Sequence, residues 1–384
     1  MEKLAVAMVG GGSGAFIGQI HRLALGLSQR YDLRAACLAS DASRALSSAA
    51  ELDLSSLRNY RSYQELAAAE AARTDGVKAV IIVTPNHTHF EIAACFLRHK
   101  IAVICDKPLC ISLAQASQLR NLSLQQQTPL WLTYNYTAYP MVREARQRVE
   151  QGELGQLRLV KVEYQQDWLS QALEQEGQKQ ASWRTNPELA GPAGCLGDIG
   201  SHAYNLAAFI TLSHPSQILA ELSTQVAGRQ LDDMAQILMR YANGGRGQLL
   251  ASQVSCGKEN HLRIEVYGSR ASLCWDSELP EQLELSSGEE PRKILRRARP
   301  CTLAASQRHR FLPAGHSEGY LEAFAQLYAD IADELAELQH HPALSTVETG
   351  WQDMAFIQAC LDSQAQGNCW QALPVWPCAG NSNQ

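Results

Sequence analysis

Through the first third of the chain, short apolar runs alternate with stretches whose apolar residues recur every three or four positions. Residues 4–9 form an apolar run that ends in Gly10-Gly11-Gly12-Ser13-Gly14, and a helical pattern follows over 17–28. Further strands are predicted at 34–38, 77–84, 101–105 and 130–134, with helices at 43–51, 63–72, 88–99 and 113–126. These strands are continuously apolar rather than alternating, as expected where helices cover both faces of a parallel sheet. A doubly wound parallel sheet over residues 1–140 is the implied architecture.

After Pro140 the pattern changes. A helix is predicted at 141–150, a half-exposed strand at 157–166, a long Gly-, Pro- and polar-rich loop at 174–197, and a helix at 198–211. Six strands then follow at 218–226, 234–241, 247–254, 262–267, 271–275 and 282–285. Turns such as Asn243-Gly244-Gly245 and Gly268-Ser269 join several of them, which favours antiparallel pairing. Two helices, 318–338 and 347–364, close the pattern. The expected second unit, 141–384, is an α/β domain carrying a large, mostly antiparallel sheet, with the last helix returning to the first unit.

A length of 384 residues exceeds one ordinary core and fits two domains. With 46% hydrophobic and 19% charged residues the chain is globular rather than disordered. A net charge of -6 supplies no broad positive field for nucleic acid or anionic membranes. The one basic cluster, Arg292, Lys293, Arg296, Arg297 and Arg299, follows Glu289 and Glu290 without interleaved aromatics and reads as a solvated strand or loop. No run reaches the roughly 18 apolar residues of a membrane span, and the N-terminal pattern enters a strand without a cleavage signal. Eleven scattered cysteines without a Cys-x-x-Cys pair fit reduced thiols. A cytoplasmic protein, with neither disulfides nor structural zinc, is expected.

The glycine turn is the first candidate for chemistry. Gly10 and Gly12 with Ala15 approximate G-x-G-x-x-A between a strand and a helix, as in a Rossmann dinucleotide site. Glycine lets the backbone approach a diphosphate, whose charge meets the free amides at the helix start. Around it, Gly10, Gly12, Gly14, Ala15, Phe16 and Ile17 are the expected cofactor contacts. The carboxylate that binds the ribose hydroxyls in such folds is displaced, because the second strand ends Cys37-Leu38-Ala39-Ser40-Asp41. Ala39 and Ser40 cannot accept two ribose hydroxyls as a carboxylate does; Asp41 is the candidate for the ribose after a small backbone shift, and Ser40 and Arg44 for a 2'-phosphate, with Asp41 as the cap of the next helix the alternative. NAD and NADP both remain open.

Three motifs then follow in order: Thr84-Pro85-Asn86-His87-Thr88-His89, Asp106-Lys107-Pro108, and Gly197-Asp198-Ile199-Gly200-Ser201-His202, with Ser182-Trp183-Arg184-Thr185 ahead of the last. In order and spacing the chain resembles the Gfo/Idh/MocA oxidoreductases over nearly its whole length. The glycine turn departs from that pattern: Ile17-Gly18 and His21 look like its continuation, displaced by a short insertion at 12–16. Asp106 stands where the family's motif has glutamate, and Asn205 where many members carry an acid.

From the residues alone, Lys107 ends an apolar strand and projects into the crevice where doubly wound sheets bind ligands. Asp198 and His202, four apart at a helix start, share a face, and an imidazole exchanges protons near neutral pH. The resemblance implies that Lys107 lies beside the nicotinamide, that His202 accepts the substrate's hydroxyl proton, and that Asp198 binds substrate or tunes its neighbours. It further assigns Thr84, Pro85, Asn86, His89 and Asp106 to the cofactor, and Trp183 and Arg184 to the substrate. Tyr134, Asn135 and Tyr136 either contact a sugar ring or form the domain hinge. His87, His89, Asp198 and His202 could be drawn as metal ligands, but the implied chemistry needs no Lewis acid, and no metal is expected.

The implied activity is NAD(P)-dependent hydride transfer to or from a hydroxyl-bearing carbon of a sugar, glycoside or cyclitol, by a homodimer or homotetramer. A non-enzymatic NAD(P)-binding regulator and an NAD-assisted glycoside hydrolase are the alternatives.

Overall fold

The computed structural model describes residues 3–300, 302–308, 311–337 and 341–374. The first layers comprise β1 (Leu4–Gly10), α1 (Phe16–Ser28), β2 (Tyr31–Cys37), α2 (Ala42–Glu51), β3 (Arg58–Asn59), α3 (Tyr63–Ala71), β4 (Ala79–Val83), α4 (His89–Arg98), β5 (Ala102–Cys105), α5 (Leu113–Gln126) and β6 (Leu130–Leu132). Then come α6 (Pro140–Glu150), β7 (Leu157–Gln165), the short helices α7 (Lys179–Arg184) and α8 (Pro187–Ala190), and α9 (Ser201–Thr211). The strands β8 (Gln217–Ser223), β9 (Met234–Arg240), β10 (Arg246–Ser252), β11 (His261–Gly268), β12 (Ala271–Asp276), β13 (Gln282–Ser287) and β14 (Lys293–Arg296) follow. The last elements are α10 (Ala304–Gln307), α11 (Tyr320–Glu337), β15 (Ser345–Thr346), α12 (Val347–Ala365) and β16 (Gln371–Ala372). Leu338, the expected end of the penultimate helix, and two of the cysteines, Cys301 and Cys378, lie outside the described residues.

The first sheet runs β15-β6-β5-β4-β1-β2-β3, with β1 to β6 parallel and only β15 antiparallel. All five residues of β4, Ala-Val-Ile-Ile-Val, are buried, because helices cover the sheet on both sides. Local signals set the helix starts: Ser62 accepts from the Glu65 amide, Ser112 from the Gln115 amide, and Pro140 opens α6.

The second sheet runs β14-β13-β12-β11-β7-β10-β9-β8-β16 and is antiparallel except where β10 lies parallel to β7. Its strands alternate, with Val160, Val162 and Tyr164 buried on one face of β7 while Lys161 is exposed on the other. Helices α6 and α9 cover the buried face. The chain then returns to the first layers: α11 packs on α1, β15 adds to β6, and α12 lies between α5 and β8.

The long loop expected at 174–197 in fact contains α7, α8 and the start of a π-helical turn. The basic cluster is only partly solvated. Arg297 is buried at 3% exposure and is clamped by Glu281, Glu318 and two main-chain carbonyls, which an edge strand alone would not provide.

Candidate active site

The glycine turn closes β1 onto α1 through backbone contacts that leave no room for side chains. Gly10 has φ +85°, and a β-carbon there would lie 2.6 Å from Thr84 Cγ2; one on Gly12 would lie 2.6 Å from the Leu38 carbonyl oxygen. Helix and strand approach most closely at Gly18, where an added β-carbon would stand 2.4 Å from the Gly11 Cα. Gly18, rather than Ala15, therefore performs the packing role of a third small residue, two residues past the insertion. Gly14 has φ +75° and an open side-chain position. Ala15 precedes α1 without a capping side chain, and Phe16, the first helical residue, is 62% exposed with Ile17 half-buried beside it. The turn thus offers uncapped amides to an anion. Arg22 braces it from below, donating from its guanidinium to the Gly11 carbonyl at 2.7 Å.

At the end of β2, Ser40 and Asp41 are both exposed. One Asp41 carboxylate oxygen caps α2, accepting from the Arg44 amide and the Ser43 hydroxyl at 2.9 Å each. In the turn after β4, Pro85 is exposed, and the Thr88 hydroxyl donates to Thr84 Oγ1 at 2.7 Å. Asn86 donates from Nδ2 to the Ala190 carbonyl at 3.1 Å, across to the second unit. His89 takes a different part from the one expected: it is 1% exposed, with Nδ1 2.8 Å from the Pro108 carbonyl and Nε2 2.8 Å from that of Thr84. Both ring nitrogens face backbone carbonyls, to one of which the neutral ring donates, so His89 sits between the β4 and β5 turns rather than presenting a ring nitrogen to a ligand.

Asp106 likewise works within the turn. Its Oδ1 accepts from the Lys107 amide at 3.0 Å and the Thr133 hydroxyl at 2.8 Å. That grip aims Lys107 out of the first unit and into the second. Lys107 Nζ donates to the Asp198 carbonyl at 2.6 Å and to Asp198 Oδ1 at 2.8 Å. An ammonium has three N–H donors, and the third has no partner among the described residues. The opposite oxygen, Asp198 Oδ2, accepts from Arg184 at 3.2 Å and from Gln253 Nε2 at 2.9 Å. Burial alone would raise the Asp198 carboxyl, but Lys107 and Arg184 outweigh it and hold the group well below the usual carboxylate range.

A π-helical turn, Leu196–Gly200, leads into α9. The Ser201 amide reaches back five residues to the Leu196 carbonyl, and this wider turn carries both Asp198 and the approach to His202. Asp232 seats it, accepting from the Gly194 and Leu196 amides at 2.7 Å each.

His202 is surrounded edge-on by the rings of Tyr136, Tyr134 and Tyr164, at centroid distances of 5.2, 5.4 and 6.0 Å. Burial, reinforced by Lys107 and opposed by Asp198, pushes its pKa well below the ordinary histidine value. The imidazole is therefore neutral at physiological pH and can accept a proton. Two buried polar atoms here have no hydrogen-bond partner among the described residues, His202 Nδ1 and Asn135 Nδ2, while the Tyr134 hydroxyl is engaged by Asp353 and Ser201. The Tyr136 hydroxyl is tied to that of Tyr164 at 2.7 Å and to Asn260 at 3.2 Å, so it orients the wall. Trp183 lies under Arg184, whose guanidinium carbon stands 4.2 Å from the ring centroid.

Gln253, Asp232, Tyr164 and Asn260 were not anticipated, since no local spacing connects them to the motifs they serve. The imagined metal ligands do not converge. Among the described residues, the group within ligand reach is His261, Asp276 and Glu278, and there Lys258 Nζ lies 2.9 Å from His261 Nδ1, supplying positive charge already.

A parallel sheet with a glycine turn that a β-carbon would block, and a buried imidazole beside a lysine held on an aspartate, fit the class of nucleotide-dependent oxidoreductases, and the comparisons with known proteins bear this out. Residues 4–134 match the model described as "Oxidoreductase family, NAD-binding Rossmann fold", and residues 142–274 match the GFO/IDH/MocA C-terminal domain. Along the whole chain, similarity is 32% identity over 382 residues to the uncharacterized oxidoreductase YfiI of Bacillus subtilis, covering 96% of each chain. Levoglucosan dehydrogenase of Pseudarthrobacter phenanthrenivorans is 26% identical over 325 residues, covering 74% of this chain and 77% of its own. An inositol dehydrogenase homolog from Azotobacter vinelandii, solved in complex with NAD+, superposes with a TM-score of 0.91 at 32% identity, covering 97% of both chains. The chain belongs to the Gfo/Idh/MocA oxidoreductase family, and its first unit is an NAD-binding Rossmann domain.

Proposed function

We propose that the protein is a dehydrogenase that oxidises, or in reverse reduces, one hydroxyl-bearing carbon of a sugar or cyclitol, with His202 as proton acceptor. The observation that carries this reading is the junction between units: the Lys107 ammonium, held on Asp198 with one donor to spare, beside a buried neutral imidazole. The likeness to an inositol dehydrogenase homolog and to a levoglucosan dehydrogenase supports the substrate class.

When bound, NAD supplies the hydride acceptor, and the rest falls to this chain's residues. Gly10, Gly12 and the free amides of α1 hold the diphosphate, and the 84–86 turn lies along the nicotinamide side. His202 takes the hydroxyl proton. The spare Lys107 donor bonds the same oxygen and stabilises it as the carbonyl forms. Asp198, fixed by Arg184 and Gln253, keeps the ammonium aimed. Tyr134, Asn135 and Trp183 line the side from which a ring with several hydroxyls is recognised. The match to an NAD-binding Rossmann model and the NAD+ held by the inositol dehydrogenase homolog favour NAD ahead of NADP. The open face of the second sheet, where Leu238 is 44% exposed, is assigned to a homodimer or homotetramer contact.

The test is incubation with NAD and a panel of cyclic polyols and pyranosides while reduced nicotinamide is followed. Reduction with at least one ring polyol is expected. No reduction across the panel, with NAD bound, would favour the regulator. Cleavage of an aryl glycoside without net reduction would favour the NAD-assisted hydrolase.

A further inference from the structure

The segment 167–191 leaves the second sheet, crosses to the first unit and returns to the active site. It is tied along its length. Arg229 holds its base, donating to Glu174 Oε1 at 2.9 Å and to the Gln171 carbonyl at 2.7 Å. Arg184 binds Asp198 Oδ2 at 3.2 Å. The far end meets the turn after β4, where Asn86 Nδ2 donates to the Ala190 carbonyl at 3.1 Å and His87 Nδ1 lies 3.3 Å from that of Leu189. The strap therefore spans the same cleft as the cofactor, from the nicotinamide turn towards the glycine turn.

At its middle stands Lys179. Its Nζ lies 3.8 Å from the position a β-carbon would take on Gly14, and nothing else stands within 4 Å of that position. Lys179 makes no hydrogen bond or ion pair with any described residue, and it is exposed. Arg22, the cation inside the turn, is already occupied by the Gly11 carbonyl. A free ammonium thus overhangs the glycine turn.

We propose that Lys179 binds the cofactor diphosphate from the second unit, so that the strap clamps the dinucleotide while its Arg184 fixes Asp198. This rests on the assignment of the diphosphate to the glycine turn. An ammonium pairing with a phosphate oxygen gives a charge-assisted bond that salt screens, because the site is open to solvent.

The test is calorimetric titration of ADP-ribose, which carries the diphosphate but not the nicotinamide, into the wild type, Lys179→Ala and Lys179→Arg at low and moderate ionic strength. The exposed position leaves folding unaffected. Lys179→Ala is expected to weaken ADP-ribose by about fivefold at low salt, with a shallower salt dependence than the wild type, and Lys179→Arg to restore most of the affinity. Affinity of Lys179→Ala equal to the wild type, a loss that salt does not diminish, or an arginine variant as weak as alanine would overturn the clamp. Wild-type protein that does not bind ADP-ribose would instead remove the underlying dinucleotide assignment and the clamp with it.

Discussion

His202 is the residue whose environment departs furthest from its sequence context. Because burial and Lys107 lower its pKa, it is already deprotonated at neutral pH, and kcat/KM for oxidation is expected to stay level as pH falls from 8 to 6.5, declining only below. A pH profile whose acid limb is centred above 7 would contradict this. Asp353 presents the opposite case. Burial raises its carboxyl from 3.8 to about 8, and it receives the Asn205 amide at 3.4 Å near the Tyr134 hydroxyl. A carboxyl with a raised folded-state pKa contributes fully below about 4 and loses that contribution as pH climbs through about 8. Relative to Asp353→Asn, the wild type is therefore expected to lose thermal stability progressively between pH 5 and 9; parallel melting curves would refute it. The motifs made Lys107, Asp198 and His202 legible in the sequence. The same motifs could not show that a carboxyl from α12 meets Asn205, since 148 residues separate the pair.

At the scale of elements, the apolar runs located every long strand of the first sheet, because both faces are buried and no alternation is needed. Two-residue strands such as β3, β15 and β16 carry no period to read, and β2 begins at Tyr31 rather than 34 because Asp32 and Arg34 keep their charged ends out of the sheet in an ion pair. The π-helical turn was equally invisible, since it depends on Asp232 and on the closeness of Gly194. A β-carbon on Gly194 would meet the Asp232 carbonyl oxygen at 2.3 Å. Gly194→Ala is expected to displace Asp198 and lower turnover by about tenfold or more while ADP-ribose still binds. Gly18→Ala should do the reverse, weakening ADP-ribose by separating α1 from the glycine turn, with the calorimetric affinity as the measure.

In the proposed mechanism neither unit holds a complete site. The first contributes Lys107 and the glycine turn; the second contributes Asp198, His202, Arg184 and Gln253. Because α11 packs on α1 and α12 on α5, the C-terminal helices fix the relation between the halves that the Lys107–Asp198 bond requires. Groups acting on one oxygen are not independent, so removing both should cost little more than removing the more important one. The decisive measurement is the turnover of wild type, Lys107→Ala, His202→Ala and the double variant with NAD and a ring polyol that the wild type oxidises, alongside ADP-ribose affinity. Each single variant is expected to be slower by about tenfold or more, the double variant close to the slower single, and ADP-ribose affinity unchanged throughout. Wild-type turnover in either single variant, with the dinucleotide still bound, would contradict convergence of the ammonium and the imidazole on one alcohol.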